Sequence, residues 1–407
     1  MKEVELSKQK TTHKKVSTSV LLGAAFLMAT SSIGPGFLTQ TTVFTNELRA
    51  SFGFVILVSL ILDIFAQMNI WRIIVVSGLR GQEIANKVFP GLGYVLAGLI
   101  VFGGLAFNIG NVAGAGLGVN AMIGFDVKTG AALSAVFAII IFLFKEASKI
   151  MDRAAQIAGG IMILLMMYVA VSSAPPVGEA VIRTFAPTQL SIFAIVTLVG
   201  GTVGGYITFA GGHRLLDAGL KGTESIPQVN KSSITGIAVT GIMRVLLFLA
   251  VLGVVTQGFI LDADNPAASV FGEALGTVGL RIFGVIMWAA AITSVIGAAY
   301  TSVSFIKTFH KNIVKYEHYV IIGFILISTL VFLIIGKPVN ILIIAGALNG
   351  MILPIALATL LIATHKKSII GDYKHPKWLT IPGILVVIAM GILSIMTLRE
   401  QILLLLK

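Results

Sequence analysis

Two glycine-rich interruptions are where this sequence has the means to do chemistry. Gly34-Pro35-Gly36 falls near the middle of one apolar run. Gly200-Gly201-Thr202-Val203-Gly204-Gly205-Tyr206, followed by Gly211-Gly212-His213, falls inside another. Glycine costs a helix interior about 1 kcal/mol and proline about 3. A helix that keeps them at mid-span is either kinked for packing or unwound to free backbone groups. Freed N–H groups at a half-helix N-terminus favour anions, and freed carbonyls at a C-terminus favour cations. Two charges also stand alone in apolar runs, Asp63 and Arg244. Isolated charges at membrane depth are expensive, and are paired or functional. Three readings stay open for them: a structural ion pair, an Arg244 that snorkels to an interface, or working roles. In the last, Arg244 is an anion ligand and Asp63 a proton carrier. Glu47 reads as a solvated rim residue.

The elements that must position these residues follow from composition. The chain has 407 residues, of which 57% are apolar and 11% charged, with 44 glycines and no cysteine. Soluble domains carry about 25% charged residues. The balance excludes a soluble enzyme, a disulfide scaffold, a thiolate metal site and a disordered tail. The formal charge of +12 lies in short clusters between long apolar runs, which argues against a nucleic-acid partner. Eleven runs are long enough to span a bilayer: 17–50, 53–77, 91–122, 130–147, 154–173, 189–212, 233–258, 279–306, 318–336, 339–364 and 380–398. Backbone groups in lipid must be paired internally, so these are helices. The expectation is an all-α multi-pass membrane protein. It has a tail over 1–16 and one transmembrane unit over 17–398, made of repeats at about 17–173 and 189–364 and an extra helix at 380–398. Lys14 and Lys15 before the first run imitate a signal peptide, but ten further spans favour a first membrane helix.

Lys and Arg placement sets the orientation. With the N-terminus inside, 21 of the 29 basic residues fall on the cytoplasmic side and seven outside, with Arg244 left within a span. The C-terminus is then external, and the expected location is the cell membrane. The longest outer connection, 259–280, contains Asn265-Pro266, which suits the start of a short surface helix.

If five helices form a repeat, the first and sixth spans hold equivalent places. Paired breaks there point to the solute site of an inverted-repeat transporter. Asn108, Asn111 and Gln67 either line a polar path or bond between helices, and Thr293, Ser294, Tyr300, Thr301, Ser302 and Ser304 form a stripe with the same two readings. Gly110, Gly114 and Gly118 have the spacing of close helix packing. Gly114-Ala115-Gly116 follows no strand and is not a nucleotide loop. None of the six histidines has ligand spacing with a second ligand. His213-Arg214 with Asp217 has the makings of an inner gate, or of a solvated basic end.

At this point the residues resemble the Nramp family of metal-ion transporters, which has a LeuT-like fold. Gly34-Pro35-Gly36, Phe52-Gly53-Phe54 and Gln67 look like the family's first two helices, and Gly200 to Phe209 looks like its sixth. Asn349-Gly350 with Pro354 is a weaker echo. The family holds its metal with the Asp and Asn of the first break and the Met of the sixth. Here Gly34, Phe37 and Gly204 stand in those places, with Gly205 and Tyr206 where the family has Pro and His. The stretch between the first break and Phe52-Gly53 is about one turn longer than usual. Losing the carboxylate and the thioether removes the hard and the soft ligand. Only carbonyls and the hydroxyls of Thr39, Thr41, Thr42 or Thr202 remain for a metal. The resemblance therefore implies a secondary transporter without cofactor, coupled to H⁺ or Na⁺. Its pocket, widened by glycine, takes a small organic acid or amino-acid-like solute at Gly34, Pro35, Gly36, Phe37, Thr39, Thr202, Gly204, Gly205 and Tyr206. Asp63, Arg244, Asn108, Asn111 and Asn349 are the coupling or gating candidates. The alternative is a Mg²⁺ or Mn²⁺ transporter using backbone and hydroxyl ligands. A membrane enzyme would need a clustered acid, base or metal set, and a receptor would need a soluble domain. The sequence has neither, nor a nucleotide-binding loop.

Overall fold

The computed structural model describes residues 33–405. The tail, the first half of the first run, its signal-like flank and His13 lie outside them. Everything described is helix, turn or coil. The first half of the chain forms α1 (Pro35–Leu48), a 3₁₀ turn (Arg49–Ser51), α2 (Phe52–Ser77), α3 (Gly81–Val88), α4 (Leu92–Ile123), α5 (Val127–Leu143), α6 (Lys145–Ser172) and α7 (Val177–Phe185). The second half forms α8 (Ile192–Thr202), α9 (Tyr206–Asp217), α10 (Ile226–Thr256), α11 (Pro266–Ile306), α12 (Lys311–Lys315), α13 (Glu317–Ile335), α14 (Pro338–Ala363), α15 (Lys367–Ile370) and α16 (Lys377–Leu405).

Among the described residues, eight helices are long and apolar enough to cross a membrane, or nine if the bent pair Gln156–Ser172 and Val177–Phe185 counts as one. The eleven expected runs differ from this in three places. Pro35–Ser77 passes as one 43-residue stretch holding two of them, although Arg49, with φ at +51°, turns the chain between α1 and α2. At 17 residues α5 is short of a span. The fifth run meets its break near Ser172, where the chain bends by 106°. The 259–280 connection holds its helix: α11 starts at Pro266, and Gly276, at φ +63°, sets a first segment off from the long one.

Two apolar cores organise the bundle. One gathers around α2, α8, α9 and α14, with Trp71, Phe209 and Leu353 fully buried. The other gathers around α5, α6, α10, α11 and α13, with Met166, Phe283 and Phe332. α1 belongs to both, through Phe44 and Leu48 on one side and Phe37 and Leu38 on the other. Large apolar side chains on the outer faces of α5, α13 and α16, such as Val136, Leu330 and Ile395, are exposed, as a bilayer-facing surface requires.

Close backbone contact brings the broken helix to its neighbours. α8 lies against α14 glycine to glycine: a Cβ at Gly200 would stand 1.8 Å from the Gly346 carbonyl oxygen and 2.3 Å from the Gly350 nitrogen. The α4 glycines face three partners, as small-residue packing allows. Gly110 meets Leu342, Gly114 meets Pro35 at the first break, and Gly118 meets the Trp288 backbone on α11. At the other end of α2, Asn69 fastens α16. Its amide donates to the Leu379 carbonyl (3.0 Å), and its Oδ1 lies 2.7 Å from His375 Nε2.

Gly200→Ala is expected to lower stability by about 1–3 kcal/mol through overpacking, read as a lower Tm in detergent. Gly98→Ala, inside α4 where nothing lies within 4 Å, is expected to keep or slightly raise Tm, because alanine is the better helix former. Burial, with Arg72 nearby, lowers the His375 pKa from 6.5 to about 4. The unfolded chain therefore binds more protons between these values. Stability is complete above pH 6.5 and is lost as pH falls toward 4. Tm measured across that window is expected to fall less steeply in His375→Gln than in the parent protein.

Candidate functional site

The second break is where the sequence places it, and at the first the described residues show the side that follows Gly34. Gly34 is extended (φ −93°, ψ −172°) and α1 starts at Pro35, whose fixed φ and missing N–H suit a first helical position. In the second break, α8 ends at Thr202 and α9 begins at Tyr206. The turn needs Gly205, at φ +47° and ψ −118°, a region closed to residues with a Cβ. Each break thus presents a half-helix N-terminus toward the interior, the end that favours negative charge.

Asn349 on α14 holds the second break. Its Nδ2 donates to the carbonyls of Gly103 and Ala345, both at 2.9 Å, and its Oδ1 accepts from the Tyr206 backbone N–H at 3.4 Å. It therefore caps α9 and ties it to α4. Tyr206 is buried, stacks edge-on against Phe107 with centroids 5.4 Å apart, and has the Asn111 side chain beside it. Asn111 also approaches the first break, where a Cβ on Gly34 would lie 3.7 Å from its Oδ1 and 3.1 Å from Ser294 Oγ. Asn111 thus links the two breaks. Ser294 is the member of the α11 stripe that reaches Gly34. Tyr300 is exposed, with Lys307 over its ring, and Thr293 is turned to its own helix backbone.

The charged pair stands on the other side of α1. Asp63 is fully buried on α2 and Arg244 is 1% exposed on α10, so Arg244 does not snorkel. Its guanidinium carbon lies 4.5 Å from the centre of the Phe37 ring, two residues into α1. The two groups attract each other through space, but neither carboxylate oxygen of Asp63 and none of the guanidinium nitrogens has a hydrogen-bond partner. Thr202, at the end of α8, stands beside Asp63 while its hydroxyl donates to the Leu198 carbonyl (2.9 Å). One turn along α2 from Asp63, Gln67 donates to the Ser233 carbonyl of α10 (3.1 Å). A mainly apolar cavity of about 140 Å³ is lined by Leu38, Met162, Met243, Ile286 and Thr293 among others, and neither Phe37 nor Arg244 lines it.

Two expectations change. Gly204 does not widen a pocket: a Cβ there would lie 2.4 Å from the Gly200 Cα and 2.7 Å from the Asn349 carbonyl oxygen, so backbone fills the space. Asn108 faces away from the breaks and donates to Ser328 Oγ on α13 (3.0 Å), an interhelical bond. Thr39 is buried on α1, and Gly36 faces Phe107 and Leu342. Sequence reasoning missed Gln40. It is fully buried, donates to the Leu342 carbonyl (2.8 Å) and lies against Gly201, joining α1 to α8 and α14. A lone amide one turn after the Pro35 break was the available signal. At the C-terminal end of α9, His213 Nε2 accepts the Gly81 N–H (3.0 Å) and Asp217 pairs with Arg80 (2.6 Å), so the suspected gate residues clasp the start of α3. Among the described residues no group of three His, Asp or Glu side chains is placed to hold a metal ion.

Residues 25–400 match the family model described as natural resistance-associated macrophage protein-like. The membrane protein YcsG of Bacillus subtilis is 67% identical over 395 residues, covering 97% of this chain and 98% of its own. A membrane protein of Haemophilus influenzae is 57% identical over 383 residues, covering 94% and 96%. A mutant of the Eremococcus coleocola manganese transporter is structurally similar with a TM-score of 0.76 at 15% identity, over 96% of this chain and 88% of its own. MhsT in complex with L-phenylalanine follows at 0.66 and 14%, over 94% and 98%.

Proposed function

We propose a small organic acid as the solute carried by this chain, which belongs to the natural resistance-associated macrophage protein-like family and is a membrane transporter with LeuT-fold neighbours, not an enzyme. The observation that supports this reading most is Arg244, a buried guanidinium with no hydrogen-bond partner, stacked on Phe37 where α1 begins. A guanidinium offers five donors in a fork that matches a carboxylate. The half-helix N-termini at Pro35 and Tyr206 add positive potential from the backbone. The apolar cavity lined by Leu38 and Met243, the sequence neighbours of Phe37 and Arg244, has room for the body of a small solute. A LeuT-type scaffold can carry such a ligand, as the MhsT complex with L-phenylalanine illustrates.

The metal reading draws on the likeness to the manganese transporter. It meets a fixed cation at the first break, and Gly34 supplies no carboxylate. We keep it as the second reading, with carbonyl and hydroxyl oxygens as ligands. The wider frame of the proposal is a set of eleven spans in two five-helix repeats and an extra helix. The N-terminus is cytoplasmic and the C-terminus external, in the cell membrane.

Proteoliposomes offered labelled acetate, lactate, pyruvate, succinate or alanine, with Mn²⁺ and Mg²⁺ in parallel, test the choice. At least one carboxylate is expected to enter saturably. Arg244→Ala is expected to lower that uptake roughly 10- to 100-fold, the worth of a hydrogen-bonded charge, while the protein still elutes as a folded species. Metal uptake without any acid uptake, or full acid uptake in Arg244→Ala, would defeat the organic-acid reading.

A further inference from the structure

We infer that the end of the bundle where α2 finishes and α16 begins holds an anionic phospholipid, whose phosphate supplies the counter-charge that Arg72 lacks. This site is separate from the breaks and does not depend on which solute is carried.

Arg72 lies in the last turns of α2 and is 5% exposed. A guanidinium stays charged in a protein, and a charge taken out of water is costly unless it is paired. Among the described residues no carboxylate stands within ion-pair distance of Arg72. Its contacts are neutral. Nη1 donates to the Tyr373 hydroxyl over a long 3.4 Å, the Trp378 ring centre lies 5.7 Å from the guanidinium carbon, and Nε has no partner. Asp372, the one acid in the stretch between α14 and α16, faces Lys367 instead at 3.6 Å, with both side chains in solvent. The chain keeps a cation here and sets no anion against it.

The same stretch builds the rest of the site. From Thr364 to Trp378 it carries four lysines against one acid, and Lys374 and Lys377, next in sequence to Tyr373 and Trp378, are exposed. It is pinned to the bundle. Lys366 Nζ donates to the Val88 carbonyl at the end of α3, the Tyr373 hydroxyl lies 3.4 Å from His375 Nδ1, and His375 Nε2 lies 2.7 Å from Asn69. The aromatic wall over Arg72 is therefore fixed, and the N-terminal end of α16 adds positive potential. What singles out a lipid is the continuation along α16. Trp378, in its first turn, is 54% exposed, and tryptophan gathers where bilayer meets water. Beyond it Ile381, Leu385 and Ile388 follow at helical spacing, all exposed, with Ile362 exposed on the adjoining α14. Gly383 lets the two helices close up, since a Cβ there would stand 3.3 Å from Leu361. A dissolved anion would use the basic end alone. A phospholipid uses both, with its phosphate at the guanidinium fork and an acyl chain along the apolar stripe. Basic pockets between membrane helices hold such headgroups.

The test is titration of the full-length, delipidated protein in a neutral detergent with dioleoylphosphatidylglycerol, dioleoylphosphatidylcholine or inorganic phosphate. Tm gives the apparent affinity, because a ligand that binds the folded state raises stability, and native mass spectrometry shows what stays bound. Phosphatidylglycerol is expected to raise Tm saturably and to remain on the protein, while phosphatidylcholine and inorganic phosphate at the same concentrations do neither. Arg72→Gln is expected to weaken the phosphatidylglycerol affinity about tenfold through lost charged hydrogen bonds. The double variant Lys374→Gln with Lys377→Gln is expected to weaken it about as much through two surface charges. Preference for one headgroup is a readout that a merely structural Arg72 would not move. Equal shifts from the two lipids, no shift from either, or undiminished affinity in Arg72→Gln overturns the proposal. A shift from inorganic phosphate that matches phosphatidylglycerol overturns the lipid and leaves a site for a free anion. If Arg72→Gln fails to fold, the lysine variant decides, and undiminished affinity there overturns the proposal.

Discussion

A guanidinium buried beside a broken helix constrains much of this molecule. Arg244 lies where water cannot reach it, with its nitrogens unpaired, its face on Phe37 and its counter-charge on Asp63 held at a distance. Such an arrangement persists only if the surrounding bundle is stiff enough to stop the two charges from collapsing onto each other or escaping to the surface. Stiffness comes from both sides of α1. Phe37 and Leu38 are fixed in one core, Phe44 and Leu48 in the other, and Gln40 bonds across to α14. α2 is held in turn by the Trp71 indole, which donates to the Thr208 carbonyl (2.7 Å), and by the Asn69 contact with α16.

The second break depends on the same stiffness, achieved through absence of side chains. α8 and α14 meet at backbone distance because Gly200, Gly346 and Gly350 present nothing larger. That closeness puts Asn349 within reach of Tyr206 and lets one amide group satisfy three backbone groups around an interrupted helix. A freed backbone group in an apolar interior costs free energy unless it finds a partner. Asn349 is therefore as much a condition of the break as the glycines are.

The breaks, the buried charges and the helical plan were legible in the sequence because each violates a local rule. Gly34-Pro35-Gly36 and Gly204-Gly205 are poor helix, and Asp63 and Arg244 are poor membrane. What they face was not legible, because it depends on packing between residues far apart in the chain. Asn108 and Asn111 are three residues apart on one helix, yet one turns to Ser328 and the other to Tyr206. The helix count also blurred where length alone decides, at α5 and at the turn between α1 and α2.

Gly204 shows why the identity of a missing side chain is a weak guide to space. Removing a methionine from a family pattern suggests a larger cavity, but here the Gly200 backbone of α8 and the Asn349 carbonyl of α14 occupy that volume, and no thioether would fit without moving them. A glycine at this position also lets in the helix that caps α9. Gly34 differs, since a Cβ there would meet the Ser294 hydroxyl at 3.1 Å and the Asn111 amide beyond it, both polar and both side chain. The first break therefore keeps a polar lining with no carboxylate of its own, and the nearby full charges are Arg244 and its distant partner. On the organic-acid reading proposed above, an anion would meet a fixed cation at Arg244 and two helix N-termini turned inward. The scaffold that accommodates a metal in its fold neighbour would here work with the opposite sign of charge.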